Sequence, residues 1–192
     1  MQSHYYAILS RMKNINRWGL MRNTRNENLS EHSLEVALIA HALALIGEKR
    51  LGKNTKPDKI AVAAMFHDTS EIITGDMPTP IKYYNPEIKD AYKKIEAVAE
   101  EQLISMLPED FRDDFREIYS PDSEITAYVK AADKISALIK CIEEIKMGNM
   151  EFKDAEASTR KTIESLDMPE VEIFMNEFID SYYLTLDEQR SI

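Results

Sequence analysis

Cysteine is nearly missing from this chain: Cys141 is the only one, which excludes an internal disulfide and any cysteine-rich zinc site and agrees with a reducing compartment. Five glycines and seven prolines punctuate 192 residues, and no segment alternates apolar and polar residues long enough to suggest a sheet. No uninterrupted apolar run approaches the roughly 20 residues of a membrane-spanning helix. The opening Met1-Gln2-Ser3-His4-Tyr5-Tyr6 also lacks the basic-then-apolar layout of a signal peptide. The expectation is a cytoplasmic protein with no membrane contact. Basic residues are in the minority, 24 Lys and Arg against 34 Asp and Glu, and a net charge of -10 argues against polymeric nucleic acid as a partner.

The hydrophobic content of 44% is ample for a folded core, and the length suits one domain over 1–192. The cations are unevenly placed. Residues 1–26 hold Arg11, Lys13, Arg17, Arg22 and Arg25 without a single acid, so this segment is +5 on a remainder of -15. Such a block can be a local anion site, a docking surface or an accident of composition, because the local field matters more than net charge.

The periodicity predicts an all-α chain. Ser3 caps a first helix through Met12, and a polar loop runs from Asn14 to Asn28. Asn28 and Glu31 have capping-box spacing, opening a second helix to Arg50 whose apolar face is read as Leu34, Leu38, Ala42 and Leu45. Pro57 starts a third helix, with Ile60, Ala63, Ala64 and Phe66 as its body, reaching no further than Ile73. Thr74-Gly75-Asp76-Met77-Pro78-Thr79-Pro80 then makes a stiff loop. Further helices are expected from Asn85 to Pro108 on an Ile88, Ala91, Ile95, Val98, Ala99, Gln102, Met106 face, from Phe111 to Ile118, from Ser123 to Met147, from Phe152 to Leu166 and from Pro169 to Tyr183.

Three places put polar chemistry inside apolar helix: His67-Asp68 after Ala63-Ala64-Met65-Phe66, His32 in the opening turn of the second helix, and Asp133 between alanines and Ile135. Singly, each reads as a hydrogen-bonded core histidine or a solvated aspartate. Together they supply two imidazoles and two carboxylates, a set that suits a borderline divalent metal with a position left open for water. His41 is excluded, since nine residues beyond His32 turn it about 180° round the helix. His4 reads as a surface residue.

The order His32, His67-Asp68, Asp133 resembles the H...HD...D ligand order of the HD-domain phosphohydrolases. The segments Leu9 to Trp18, Asn28 to Leu34, His67 to Glu71 and Thr74 to Tyr83 are similar to the bacterial 5'-deoxynucleotidase subfamily over nearly the whole chain, down to Leu184-Thr185-Leu186-Asp187-Glu188. The resemblance implies a single HD-domain helical bundle that hydrolyses 2'-deoxynucleoside 5'-monophosphates to deoxynucleoside and phosphate. It implies a homodimer and one divalent cation, cobalt or manganese first, with copper, zinc, iron or magnesium as alternatives.

Carried over by position, His32, His67, Asp68 and Asp133 would hold the metal. Glu71 would assist the attacking water, and Arg17 and Trp18 would handle the phosphate, so that with Asp68 they form the catalytic group. Substrate would also meet His32, Asp68 and Asp133 at the metal, and Asp76, Met77, Pro78 and Thr79 on the sugar side. The residues support these roles unequally. Glu71 follows His67 by four and Asp68 by three, which on a helix places all three within a turn. Arg17 offers a planar fork for two phosphate oxygens. Trp18, the chain's only tryptophan, reads by default as packing, and Glu71 reads equally as a helix-surface glutamate. Two rivals stand beside this reading: an HD phosphohydrolase of another nucleotide, and a non-catalytic helical module keeping the metal set.

Overall fold

A computed structural model describes residues 2–82 and 84–191. Tyr83, the end of the proline-loop motif, and Met1 lie outside the described residues. Among the described residues eleven α-helices follow in order: α1 Tyr5–Leu9, α2 Leu29–Leu51, α3 Pro57–Phe66, α4 Glu71–Thr74, α5 Thr79–Lys82, α6 Pro86–Ser105, α7 Arg112–Tyr119, α8 Ser123–Lys146, α9 Lys153–Glu164, α10 Pro169–Phe178 and α11 Leu186–Arg190. Tighter 3-10 turns precede α7 and α9 and follow α1 and α10. No strand occurs among the described residues.

Local signals set most of the boundaries. The Asn28 side chain accepts from the backbone of Ser30 and Glu31 while Glu31 reaches back, completing the capping box of α2. Gly52 ends α2 at φ 65°, a left-handed position that glycine enters without strain. Asn85 and Asp122 cap α6 and α8 through their side chains. The short α11, which periodicity did not suggest, has its own capping box in Thr185 and Glu188.

The main core lies where α2, α3 and α8 meet, with α10 closing it and α9 packed on α8. Val36, Ala40, Leu43, Ala132, Ile135, Leu138 and Ile142 are fully buried or nearly so. A smaller cluster joins α1 to α6 and α7 through Tyr5, Leu103, Ile104, Leu107 and Phe115. Length and composition alone would let α2 cross a bilayer, although Glu35 and His41 interrupt it; 56% of that stretch is buried, and its inner side packs on α3, α8 and α10 as a core helix does.

Two expected faces point elsewhere. Leu34 and Leu38 are 56% and 65% exposed, and α2 buries Val36, Ile39, Ala40 and Leu43 instead. On α6, Ile95 and Val98 stand outside, while Tyr92, Ala99, Leu103 and Ile104 face in. Both helices carry apolar residues on more than one side, so the neighbour decides the face. For α6 the neighbours are α4, α5 and α7, and the Tyr92 hydroxyl is 3.2 Å from Thr74 Oγ1.

The third expected helix is broken. α3 stops at Phe66, tight turns occupy 67–70, and α4 starts afresh at Glu71. Side chains compete for the carbonyls that a continuing helix would use: His67 Nδ1 bonds to Ala64 O at 2.7 Å, and Thr69 Oγ1 donates to Phe66 O at 2.8 Å. The premise that His67, Asp68 and Glu71 share one regular helix is therefore corrected.

Candidate functional site

His32 enters from the first turn of α2, His67 and Asp68 from the break after α3, and Asp133 from the middle of α8. These elements pack together, so residues 100 apart in sequence become neighbours. Ligand atoms of His32, His67 and Asp68 lie within 4.8 Å of one another. Asp68 Oδ2 is 3.1 Å from His67 Nε2 and 3.5 Å from His32 Nε2. Asp133 joins from α8, with Oδ1 3.2 Å from the same Nε2.

The far nitrogens decide what the near ones present. His67 Nδ1 faces the Ala64 carbonyl, which can only accept, so the proton is on Nδ1. His32 Nδ1 lies 3.1 Å from Ser136 Oγ, whose own proton goes to Glu35 Oε2 at 2.6 Å; His32 therefore also donates from Nδ1. Both Nε2 atoms are buried without a hydrogen-bond partner and turn lone pairs toward carboxylate oxygens. Unprotonated, these atoms would repel the carboxylates, so the arrangement calls for protons or a cation between them; with the protons displaced, two imidazoles and two carboxylates fit a divalent ion of borderline softness.

Arg17 stands beside this group. Its Nη1 donates to Asp68 Oδ2 at 3.3 Å, and Nη2 is 4.0 Å from Asp133 Oδ1. Burial opposes its charge, but Asp68, Asp133 and Glu27 together raise its pKa above the usual arginine value. Burial likewise opposes ionisation of Asp68, and His67, His32 and Arg17 outweigh it, holding the carboxyl well below the usual range. Proximity to His32 and Lys134 does the same for Asp133. Glu71 is 4% exposed and behaves oppositely: burial, then the neighbouring Asp68 and Asp76, push it up to about 9. Lys82 Nζ, 3.9 Å from Glu71 Oε1, only partly offsets this.

Arg17, Asp68, Glu71, Asp76, Lys82 and Asp133 open on one cavity of about 630 Å³, which neither imidazole lines. Arg17, Trp18, Asp68, Glu71, Asp76, Met77, Pro78, Thr79 and Asp133 are all among its lining residues. Burial pushes the Asp76 carboxyl up. Ser158, Thr159 and Thr162 of α9 complete the wall, and nothing in the sequence pointed to them. Of the five cations in residues 1–26 only Arg17 lines the cavity; Arg25 pairs with Glu31 at the surface. His41 and His4 stay outside the cluster.

Sequence reasoning passed over Ser136 and Glu35. Their spacing was a usable signal, since each lies three residues after a ligand candidate on the same helix, Ser136 after Asp133 and Glu35 after His32. Glu27, which touches Arg17 and Trp18, carried no such mark.

Residues 4–182 match the family model described as 5'-deoxynucleotidase YfbR-like. A 5'-deoxynucleotidase of Photobacterium profundum is 52% identical over 97% of this chain and 98% of its own length. A crystal structure of an HD-domain phosphohydrolase from Listeria innocua superposes with a TM-score of 0.82 at 25% identity, covering 97% of this chain and 92% of that one. The fold is shared also with a cyanophage S-2L HD phosphohydrolase bound to dA and one catalytic Zn2+ ion, at a TM-score of 0.65 and 22% identity over 93% of this chain and 96% of that one. Helical architecture, family model and a relative matched end to end converge: the chain belongs to the YfbR-like 5'-deoxynucleotidase family.

Proposed function

We propose that this chain, acting as one domain, is a metal-dependent phosphomonoesterase that hydrolyses 2'-deoxynucleoside 5'-monophosphates to deoxynucleoside and phosphate. The observation that carries the reading is the convergence of two unpartnered imidazole Nε2 atoms and a carboxylate within 4.8 Å, beside a cavity that exposes Arg17. His32, His67, Asp68 and Asp133 would hold the cation, with cobalt or manganese expected to support turnover best. A bound divalent cation supplies Lewis acidity toward the phosphoryl group and the attacking water.

The remaining chemistry belongs to side chains. Arg17 binds phosphoryl oxygens through its planar fork and stabilises charge that grows in the transition state. Glu71, buried on the cavity wall, would take the proton of the attacking water at a carboxylate oxygen, the positive charge of a bound cation returning its raised carboxyl to the ionised form. Trp18 closes the phosphate side. Asp76 faces the sugar, while Met77, Pro78 and Thr79 form a wall that prolines keep from yielding to a 2'-hydroxyl. Homodimerisation and a cytoplasmic location belong to the same proposal; the exposed Leu34 and Leu38 on α2 support the dimer, and sedimentation of the purified chain tests it.

The deciding experiment adds cobalt, manganese or magnesium to metal-stripped protein and follows phosphate release from dAMP, AMP and 3'-AMP. Release from dAMP above AMP is expected. No release from dAMP with any metal removes the enzyme reading, and equal release from AMP removes the sugar selection. Asp133→Asn should lose metal and activity together. Asp76→Ala should lose activity while metal content holds, and equal loss of metal would sink the sugar-side assignment.

A further inference from the structure

Arg17 and Trp18 lie on the loop between the first helix and α2, a segment with little regular structure to hold it. Its one piece of pairing is an isolated antiparallel bridge between Asn16 and Asn28, which sets Arg17 opposite Glu27. Arg17 N donates to Glu27 O at 2.9 Å. The Glu27 side chain then reaches the same two residues: Oε2 accepts from Trp18 Nε1 at 2.9 Å and stands 3.5 Å from Arg17 Nε. Its other oxygen is 3.7 Å from His32 Nδ1. The carboxylate is 13% exposed, so these contacts are made largely out of water.

Trp18 needs such a hold. It is the only non-glycine described with a positive φ, at 59°, a left-handed conformation that costs a bulky residue about 1–2 kcal/mol. Its carbonyl accepts from Met21 N at 2.9 Å and from Asn23 Nδ2 at 3.3 Å, and its ring packs on Phe152 at 5.3 Å between centroids. Those contacts hold the backbone and one ring face. The indole N–H, which sets the ring's rotation, is held by Glu27.

We propose that Glu27 is a positioning residue: one carboxylate aims the Arg17 guanidinium and the Trp18 ring at the phosphate and ties both to the back of His32. The inference rests on the proposed phosphatase reading. It assigns Glu27 no contact with substrate; its effect passes through Arg17 and Trp18. A glutamine in its place keeps an acceptor for the indole N–H but loses the charge facing Arg17.

The chain's single tryptophan makes this directly readable. Glu27→Ala and Glu27→Gln are compared with wild type for Trp18 emission in the metal-free protein, and for kcat and KM on dAMP at saturating manganese, where a change in metal affinity does not enter KM. Loss of a charge-assisted bond predicts that Glu27→Ala lowers kcat/KM by about tenfold or more. Its Trp18 emission should shift, with Glu27→Gln keeping wild-type emission and recovering part of kcat/KM. Emission and kcat/KM both unchanged in Glu27→Ala would overturn the proposal. So would a fall in kcat/KM with emission unmoved, since the loss would then bypass the indole. If wild type releases no phosphate, the phosphatase reading fails, while the emission comparison still reports whether Glu27 holds Trp18.

Discussion

Glu144 offers the sharpest test of how the loop carrying Arg17 and Trp18 is fastened to the helices. It lies near the end of α8 and is 1% exposed. It accepts from Thr24 N at 2.9 Å, Thr24 Oγ1 at 2.7 Å, Asn149 Nδ2 at 2.8 Å and Arg25 N at 3.3 Å, and it pairs with Lys140, itself 6% exposed. Glu144→Ala leaves the Lys140 ammonium buried without its counter-charge, for which about 3–5 kcal/mol is typical. Lys140 keeps the Arg25 carbonyl at 2.6 Å and lies 5.6 Å from the centre of the Phe152 ring, so the low end, about 3 kcal/mol, is expected. For a chain of this size that is a fall in Tm of roughly 10 °C.

Thermal melts of the metal-free protein at pH 7 measure it, beside the double variant Glu144→Ala with Lys140→Met. Removing the stranded cation should recover most of the loss, leaving about 1 kcal/mol for the missing bonds to the loop. The effect also has a pH signature. Burial alone would raise the Glu144 pKa, but Lys140, Thr24 and Asn149 outweigh it and hold the carboxyl far below its ordinary value. The folded pKa is depressed, so the stabilisation is present above the unfolded value of about 4.3 and is lost as pH falls below it. Melts of wild type and Glu144→Ala should therefore draw closer as the pH is lowered from 5, the gap narrowing but still open at pH 3. A Tm for Glu144→Ala within about 2 °C of wild type at pH 7, or a double variant no better than the single one, would refute the reasoning.

Two further outcomes are expected. Ser136→Ala removes the acceptor that fixes the His32 tautomer, and metal affinity, measured by chelator competition, should fall about 10–100-fold while the helical circular dichroism stays unchanged. Gly47→Ala would place a Cβ 2.9 Å from Tyr128 Oη, 3.0 Å from the buried Glu170 Oε1 and 3.1 Å from Thr55 Cγ2; chemical denaturation should show a loss of about 1–3 kcal/mol.

Much of this was legible before any coordinates. Caps are local, and Asn28, Asn85 and Gly52 act within a few residues of themselves, so the helix starts and stops of α2 and α6 were readable. The four candidate metal ligands stood out because imidazoles and carboxylates are rare beside apolar helical runs. What remained hidden depends on neighbours. Leu34 and Val36 are both plausible inward residues until α3 and α8 dock, and only the docking sends Leu34 to the surface. The break at His67 was hidden for another reason: its cause is a side chain competing for a carbonyl, which leaves no trace in hydrophobic period. Glu27 was hidden because its partners are set by a bridge between loop strands.

The break after α3 also shows how differently the candidate metal ligands are built into the fold. From His67 to Gly75 the shape is made by bonds that open and close within a few residues: His67 to Ala64, Thr69 to Phe66, Glu71 N to Asp68 O and Gly75 N to Glu71 O. His67, Asp68 and Glu71 thus sit on a segment whose spacing is largely local, braced from outside by Tyr119 at Thr69 and Tyr92 at Thr74. His32 and Asp133 have no such local frame. Their distance is set by the docking of α2 on α8, so a repacked core would slide one past the other while that segment kept most of its spacing.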